Sequence, residues 1–187
     1  MLSLAHMEIN ISIDKEFKKY IKSSWLRKIA KIVIAGESIG TDKLEMSLAI
    51  TNDEQLHELN LKYLEEDRPT DVLSFPMNER PERSKRVGVD DLIHLYESLY
   101  PVGADDVIHL GDVIISYPTA ARQAVEHNHA VEQEITILLI HGILHLLGYD
   151  HAEPDERRLM QHFEKRALIL IKLKLNEDLG ISRQSAP

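Results

Sequence analysis

The sequence predicts a single α+β domain in which a small, mixed, four-stranded sheet packs against helices. Segments that alternate apolar and polar residues, as half-buried strands do, are interleaved with segments whose apolar residues recur at helical spacing. The resulting order, β-α-β-α-β-β-α-α-α, fits one sheet with helices laid against it. The 187 residues are enough for one hydrophobic core. We therefore expect one domain over residues 1–180, with an irregular excursion at 77–109 and a loose tail at 181–187.

Strands are predicted where short apolar runs alternate or end at proline. They fall at 7–13 (MEINISI), 45–50, 71–76 (DVLSFP) and 110–116 (LGDVIIS).

The helices are predicted from apolar spacing and from start signals. Apolar residues from Phe17 to Val33 form the first helix, and a capping box of Thr51 and Glu54 opens a second through Tyr63. Three more are expected at 119–128, at 131–147, and from Pro154 to about residue 175.

The composition narrows the chemistry of the protein. The chain has no cysteine, so a metal would be held by histidine or carboxylate. No run approaches the roughly 18 unbroken apolar residues of a membrane span, and the start has no secretory pattern. We therefore expect a cytoplasmic protein without a membrane partner.

The charge pattern is uneven along the chain. The net charge is −9, which by itself disfavours a nucleic-acid partner, but residues 1–37 carry seven basic and four acidic side chains. The first helix could face an anion, or it could simply present a solvated face.

Three histidines lie in the apolar run LLIHGILHLLGYDH. His141 and His145 are four residues apart, so a helix places both on one face. Gly148 suits a left-handed turn that brings His151 to the same point. The pattern H-x-x-x-H-x-x-G-x-x-H is the ligand spacing of the extended zincin motif. We therefore predict a metal at the end of a central helix, with a fourth tetrahedral position left open, as in catalytic zinc sites.

Other interpretations of the histidines are weaker. A single histidine in such a run would usually be a core residue. His127 and His129, two residues apart in a polar stretch, are expected to face opposite sides of a helix and to bind nothing. Zincin peptidases have a glutamate general base directly after the first ligand, but Gly142 stands there, so peptidase activity is not expected.

The segments HGILHLLGYDH, DRPTDVLSFP and LGDVIIS together resemble the YbeY family of bacterial endoribonucleases and rRNA maturation factors. The resemblance covers roughly residues 45–170. It implies a metal-dependent, single-strand-specific endoribonuclease that acts in small-subunit rRNA maturation and ribosome quality control. It also implies one zinc ion per chain on His141, His145 and His151, with RNA and the ribosome or a small-subunit ribosomal protein as partners. Three imidazoles also suit other divalent transition metals.

One position departs from the family pattern. The family usually has arginine after the tyrosine that falls on Tyr63, whereas this chain has Leu64. Arg68 is the candidate substitute for balancing phosphate charge. Asp71 is a further catalytic candidate, and Asp150 is a candidate acceptor for a ligand histidine.

Two other functions are compatible with the sequence. The protein could be a non-catalytic ribosome-assembly factor whose metal braces the fold, or a metal hydrolase that acts on another small substrate. Cleavage of single-stranded RNA that depends on His145 would distinguish an endoribonuclease from both of these alternatives.

Overall fold

The computed structural model describes residues 7–37, 43–77 and 107–178, which contain four strands and five helices. The strands are β1 (Met7–Ile13), β2 (Leu44–Thr51), β3 (Val72–Pro76) and β4 (Ile108–Ser116). The helices are α1 (Ser23–Gly36), α2 (Asp53–Leu64), α3 (Tyr117–Glu126), α4 (Val131–Leu146) and α5 (Pro154–Asp178).

The four strands form one mixed sheet in the order β1-β2-β4-β3. The first two pairings are parallel, and β3 joins the edge of β4 in the antiparallel sense. Gly111 of β4 adopts a positive φ of 124°, beside a register shift in the β2–β4 pairing. An added Cβ at Gly111 would lie 2.1 Å from the carbonyl oxygen of Phe75, so the position has room only for glycine. The strand order and the strand directions confirm the predicted mixed, four-stranded sheet.

The strand sequences give the sheet one buried face. Alternate residues of β1 and β2 are buried because side chains on a strand point to opposite faces in turn. Ile9, Met46, Leu48 and Val113 are 3% exposed or less and belong to the main core. The polar side chains of the same strands, such as Asn10 and Asp112, line a shallow groove on the opposite face.

Helix α4 forms the centre of the domain. It contacts β3 and β4 as well as α1, α3 and α5. Ten of its sixteen residues are buried, which explains why its sequence is apolar on nearly all sides. Helix α5 packs on α1 and α4 through Met160, Phe163 and Ala167. Two of the predicted metal ligands, His141 and His145, therefore lie on this largely buried helix.

Some predicted boundaries were wrong. Helix α1 begins at Ser23, because residues from Asp14 to Tyr20 form hydrogen-bonded turns of their own. Helix α2 is capped by Asn52, whose side chain accepts a hydrogen bond from the backbone N–H of Gln55, and Thr51 ends β2. Strand β4 begins at Ile108, two residues before its predicted start.

Parts of the predicted organisation lie outside the described residues. These parts are 78–106, which is most of the predicted excursion, and the predicted tail 181–187. Among the described helices, none combines the length and the apolar character needed to cross a membrane.

Candidate metal centre

Gly142 sets how closely α4 approaches the sheet. A Cβ built at this position would lie 2.7 Å from Cγ1 of Val113 and 3.1 Å from Oγ of Ser74. Val113 belongs to the inner strand β4, and Ser74 belongs to the edge strand β3. The helix backbone therefore rests directly on the sheet. The position at which zincin peptidases carry their glutamate has no room for a side chain, so the absence of a peptidase base also has a steric cause.

The C-terminal turn of α4 directs the chain back toward the helix. Gly148 has a φ of 87°, and its backbone N–H donates to the carbonyl of His145, while the N–H of Tyr149 donates to the carbonyl of Leu144. This pair of bonds is the Schellman motif, which requires a left-handed residue after the helix. The predicted role of Gly148 is thus confirmed. The turn returns the chain so that His151 lies beside the helix.

The three predicted ligands converge. Ring centroids are 4.7 Å apart for His141 and His145, 5.1 Å for His145 and His151, and 5.4 Å for His141 and His151. One ligand atom from each residue lies within 4.8 Å of the other two. The Nε2 atoms of His141 and His145 are 3.2 Å apart. Two nitrogens bound to one tetrahedral zinc at about 2.0–2.1 Å lie roughly 3.3–3.4 Å apart, so the donor set fits such an ion.

The environment keeps the central imidazole neutral. The pKa of His145 is lowered to about 4, first by burial and then by the nearby rings of His141 and His151, against an opposing effect of Asp150. At neutral pH this ring therefore has a nitrogen lone pair to donate. A metal ligand requires this protonation state.

Glu164 is a site residue that the sequence did not reveal. The Nδ1–H of His141 donates to Oε1 of Glu164 on α5, at 2.8 Å. This hydrogen bond places the proton on Nδ1, so Nε2 of His141 has the lone pair that can bind a metal, and Nε2 lies beside the ring of His145. The two residues are 23 positions apart, on different helices. The available signal was weak: Glu164 follows Phe163, which lies on the buried face of α5.

Replacing Glu164 with alanine is expected to weaken metal binding by about 10–100-fold, because the acceptor that orients a ligand histidine is lost. Glu164→Gln keeps an acceptor oxygen without the charge, so its metal affinity should lie between those of the wild type and Glu164→Ala. Competition with a chelator of known affinity measures the effect. Asp155→Ala is the matched control, since Asp155 is an exposed carboxylate on the same helix that pairs with Arg158. Equal affinity of the wild type and Glu164→Ala would show that the hydrogen bond has no such role.

The other predicted site residues make contacts of their own. The Arg68 guanidinium pairs with Glu66 at 2.6 Å, and its side chain is 72% exposed. The carboxylate of Asp71 accepts hydrogen bonds from the backbone N–H of Val72 and from Gln123. Arg68 is therefore paired within the segment before β3, and Asp71 bonds to the first residue of β3 and to α3.

Asp150 lies next to the third ligand. Its Oδ1 accepts a hydrogen bond of 2.7 Å from the backbone N–H of His151. Its charge also raises the pKa of the His145 ring. Asp150 thus contacts the backbone of one ligand and acts electrostatically on another.

A sheet-and-helix domain with three converging imidazoles at the end of its central helix is a protein that could hold a divalent metal ion. Comparisons with known proteins make this assignment specific. The sequence model of the family described as Endoribonuclease YbeY matches residues 8–172. This chain belongs to the YbeY endoribonuclease family.

Relatives of similar length support this membership. An Endoribonuclease YbeY of Dehalococcoides mccartyi strain CBDB1 is 41% identical over 169 residues, covering 90% of this chain and 95% of the relative. One from Aquifex aeolicus strain VF5 is 37% identical over 155 residues, covering 83% and 87% respectively. A Thermotoga maritima protein solved in solution has the same fold, with a TM-score of 0.55 and 22% identity over 96% of this chain and 99% of its own. The chain is accordingly an endoribonuclease, a hydrolase whose substrate is RNA.

Proposed function

We propose that this protein is a cytoplasmic, zinc-dependent endoribonuclease that cuts single-stranded RNA, and that its substrate is precursor small-subunit rRNA. The observation that supports this most strongly is the convergence of His141, His145 and His151 within a family of endoribonucleases. Three nitrogen ligands suit zinc and leave one coordination position for chemistry.

The residues of the site have distinct roles in this proposal. His141, His145 and His151 hold the ion, and Glu164 orients the ring of His141. When bound, the ion supplies Lewis acidity, which polarises a phosphoryl oxygen and lowers the pKa of water. The cation of Arg68 balances charge that develops on the phosphate. Asp71 positions the start of β3, since its carboxylate accepts hydrogen bonds from Val72 of β3 and from Gln123 of α3.

The exposed aromatic ring of Tyr63 supports a preference for single-stranded RNA. Tyr63 at the end of α2 is 56% exposed and packs edge-on against Phe75 of β3, with a centroid distance of 5.4 Å. The ammonium of Lys62 lies 4.9 Å from the centre of the Tyr63 ring. Unpaired bases stack on such rings, whereas bases in a duplex are already stacked on each other.

The basic segment before α1 is the proposed contact for the ribosome or a small-subunit ribosomal protein. Lys15, Lys18, Lys19 and Lys22 are exposed there, in a protein that is acidic as a whole. Clustered lysines attract phosphate through charge, independently of base sequence.

A panel of substrates tests the proposed activity. Metal-replete protein is incubated with single-stranded RNA, the matching duplex, a peptide and a small phosphodiester. Cleavage limited to the single-stranded RNA supports the proposal. Cleavage of the peptide or of the phosphodiester alone would indicate a different hydrolase, and no cleavage of any substrate would indicate a non-catalytic assembly factor.

Removing the positive charge of Arg68 should slow cleavage without changing metal content. Because the guanidinium is exposed and water screens its field, we expect Arg68→Ala to lower kcat/KM for single-stranded RNA by about 10-fold, less than the 100-fold or more typical of enclosed donors. Arg158→Ala is the matched control, as Arg158 is an equally exposed arginine paired with a carboxylate. Unchanged turnover in Arg68→Ala would remove this residue from the mechanism.

A further inference from the structure

A second group of metal-ligating side chains lies at the opposite end of α4 from the histidine trio. It consists of His127, His129 and Glu134. One ligand atom from each lies within 4.8 Å of the other two. Nδ1 of His127 is 3.2 Å from Oε2 of Glu134, and Nε2 of His129 contacts the same oxygen. Two imidazoles and one carboxylate are a donor set found in zinc enzymes.

The sequence had suggested that these two histidines diverge, and that prediction was wrong. Helix α3 ends at Glu126, before either histidine, so helical geometry does not apply to them. Asn128 between them adopts a left-handed φ of 55°, which turns the chain. The two rings consequently meet edge-on, with centroids 5.5 Å apart, and both reach Glu134.

The turn that carries the histidines is fixed by backbone hydrogen bonds. The N–H of His129 donates to the carbonyl of Ala124, and the N–H of Asn128 donates to that of Val125. This is the same Schellman pattern that ends α4. Because His127 and His129 lie at this closed helix end and Glu134 lies on α4, the backbone that carries the three side chains is fixed before any ion arrives.

The charge balance of the group favours a cation. Glu134 is 4% exposed, and the partners described for its carboxylate are the two histidines. A buried carboxylate is costly unless a positive charge compensates it.

We propose that His127, His129 and Glu134 form a second divalent transition-metal site, separate from the histidine trio. The ion would be coordinated by both imidazoles and the carboxylate and would link the α3–α4 turn to α4. Glu134 and His141 are seven positions apart, which is about 10 Å along a helix. Paired catalytic metals lie about 3.5–4 Å apart, so the two ions do not share a phosphate. The second ion therefore has a structural role at the turn.

Counting bound ions tests the proposal. Protein stripped with a chelator is titrated with zinc by calorimetry, and the ion content is then measured after gel filtration. We expect two ions per chain in the wild type and one in His127→Ala, Glu134→Gln and His145→Ala alike. His127 is 58% exposed, so its replacement tests the site without disturbing the core. His109→Ala should still bind two ions, because His109 pairs with Glu45 and belongs to neither of the two groups of possible ligands among the described residues.

Cobalt gives an independent readout of the second site. In the His145→Ala background, bound Co²⁺ should produce visible absorption that a further Glu134→Gln replacement abolishes. A wild type that binds one ion, or two ions retained in both His127→Ala and Glu134→Gln, would overturn the proposal and leave a simple ion pair between imidazolium and carboxylate. Because these readouts do not use RNA, they stand whether or not the proposed substrate is correct.

Discussion

Replacing His145 with alanine is expected to lower cleavage of single-stranded RNA by more than about 100-fold and to remove one bound ion per chain. Losing even a partner of a ligand costs about 10–100-fold in metal affinity or activity, and losing a ligand itself should cost more. His145 is placed between the other two rings, within 5.1 Å of each centroid. The two remaining imidazoles would then lack the third donor that completes the site.

Cleavage rates and elemental analysis measure this effect, and thermal unfolding checks it separately. A ligand that binds only the folded state adds about 2.7 kcal/mol of stability when its free concentration is 100 times its Kd. Zinc should therefore raise the Tm of the wild type more than that of the variant. His109→Ala, on β4, is the control histidine replacement. If His145→Ala retained normal cleavage and ion content, the trio would not be the catalytic centre.

Introducing the missing peptidase glutamate is expected to destabilise the protein instead of creating a peptidase. In Gly142→Glu, the new Cβ would lie 2.7 Å from Cγ1 of Val113, so this fully buried side chain would have to shift within the core. Overpacking costs about 1–3 kcal/mol, and burying a carboxylate without a partner adds to it. The gain in helix propensity over glycine is below about 1 kcal/mol. We therefore expect a loss of more than about 3 kcal/mol in the free energy of unfolding, measured by urea denaturation.

Gly148→Ala provides the comparison for Gly142→Glu. Gly148 has a φ of 87° with no atom within 4 Å of an added Cβ, so only backbone strain opposes the change. Strain of this kind costs about 1–2 kcal/mol. A loss in Gly142→Glu no larger than that in Gly148→Ala would contradict the close contact between α4 and the sheet.

The features that the sequence predicted well are encoded by local spacing. Strand β1 and the helical pair His141 and His145 follow from periods of two and of 3.6 residues, and Gly148 follows from the turn that a helix end requires. The mixed sheet was predicted because the order of elements limits the arrangements available to it.

The features that the sequence did not predict depend on contacts between distant elements or on exact helix ends. Glu164 meets His141 only when α5 packs on α4, and no spacing rule spans 23 residues. The direction of His127 and His129 depended on whether α3 ends before or after them, and helix ends are uncertain by one or two residues. Asn52 replaced Thr51 as the cap of α2 for the same reason.

The three histidines of the metal centre come from eleven consecutive residues, 141–151, which affects how the ion and folding are coupled. A denatured chain keeps these imidazoles close together, so it retains some affinity for zinc, and this subtracts from the stability that the ion confers on the native state. Glu164, by contrast, joins the site only when the tertiary structure is complete. Glu164 therefore adds to the preference of the ion for the folded chain, because only the folded chain makes this hydrogen bond.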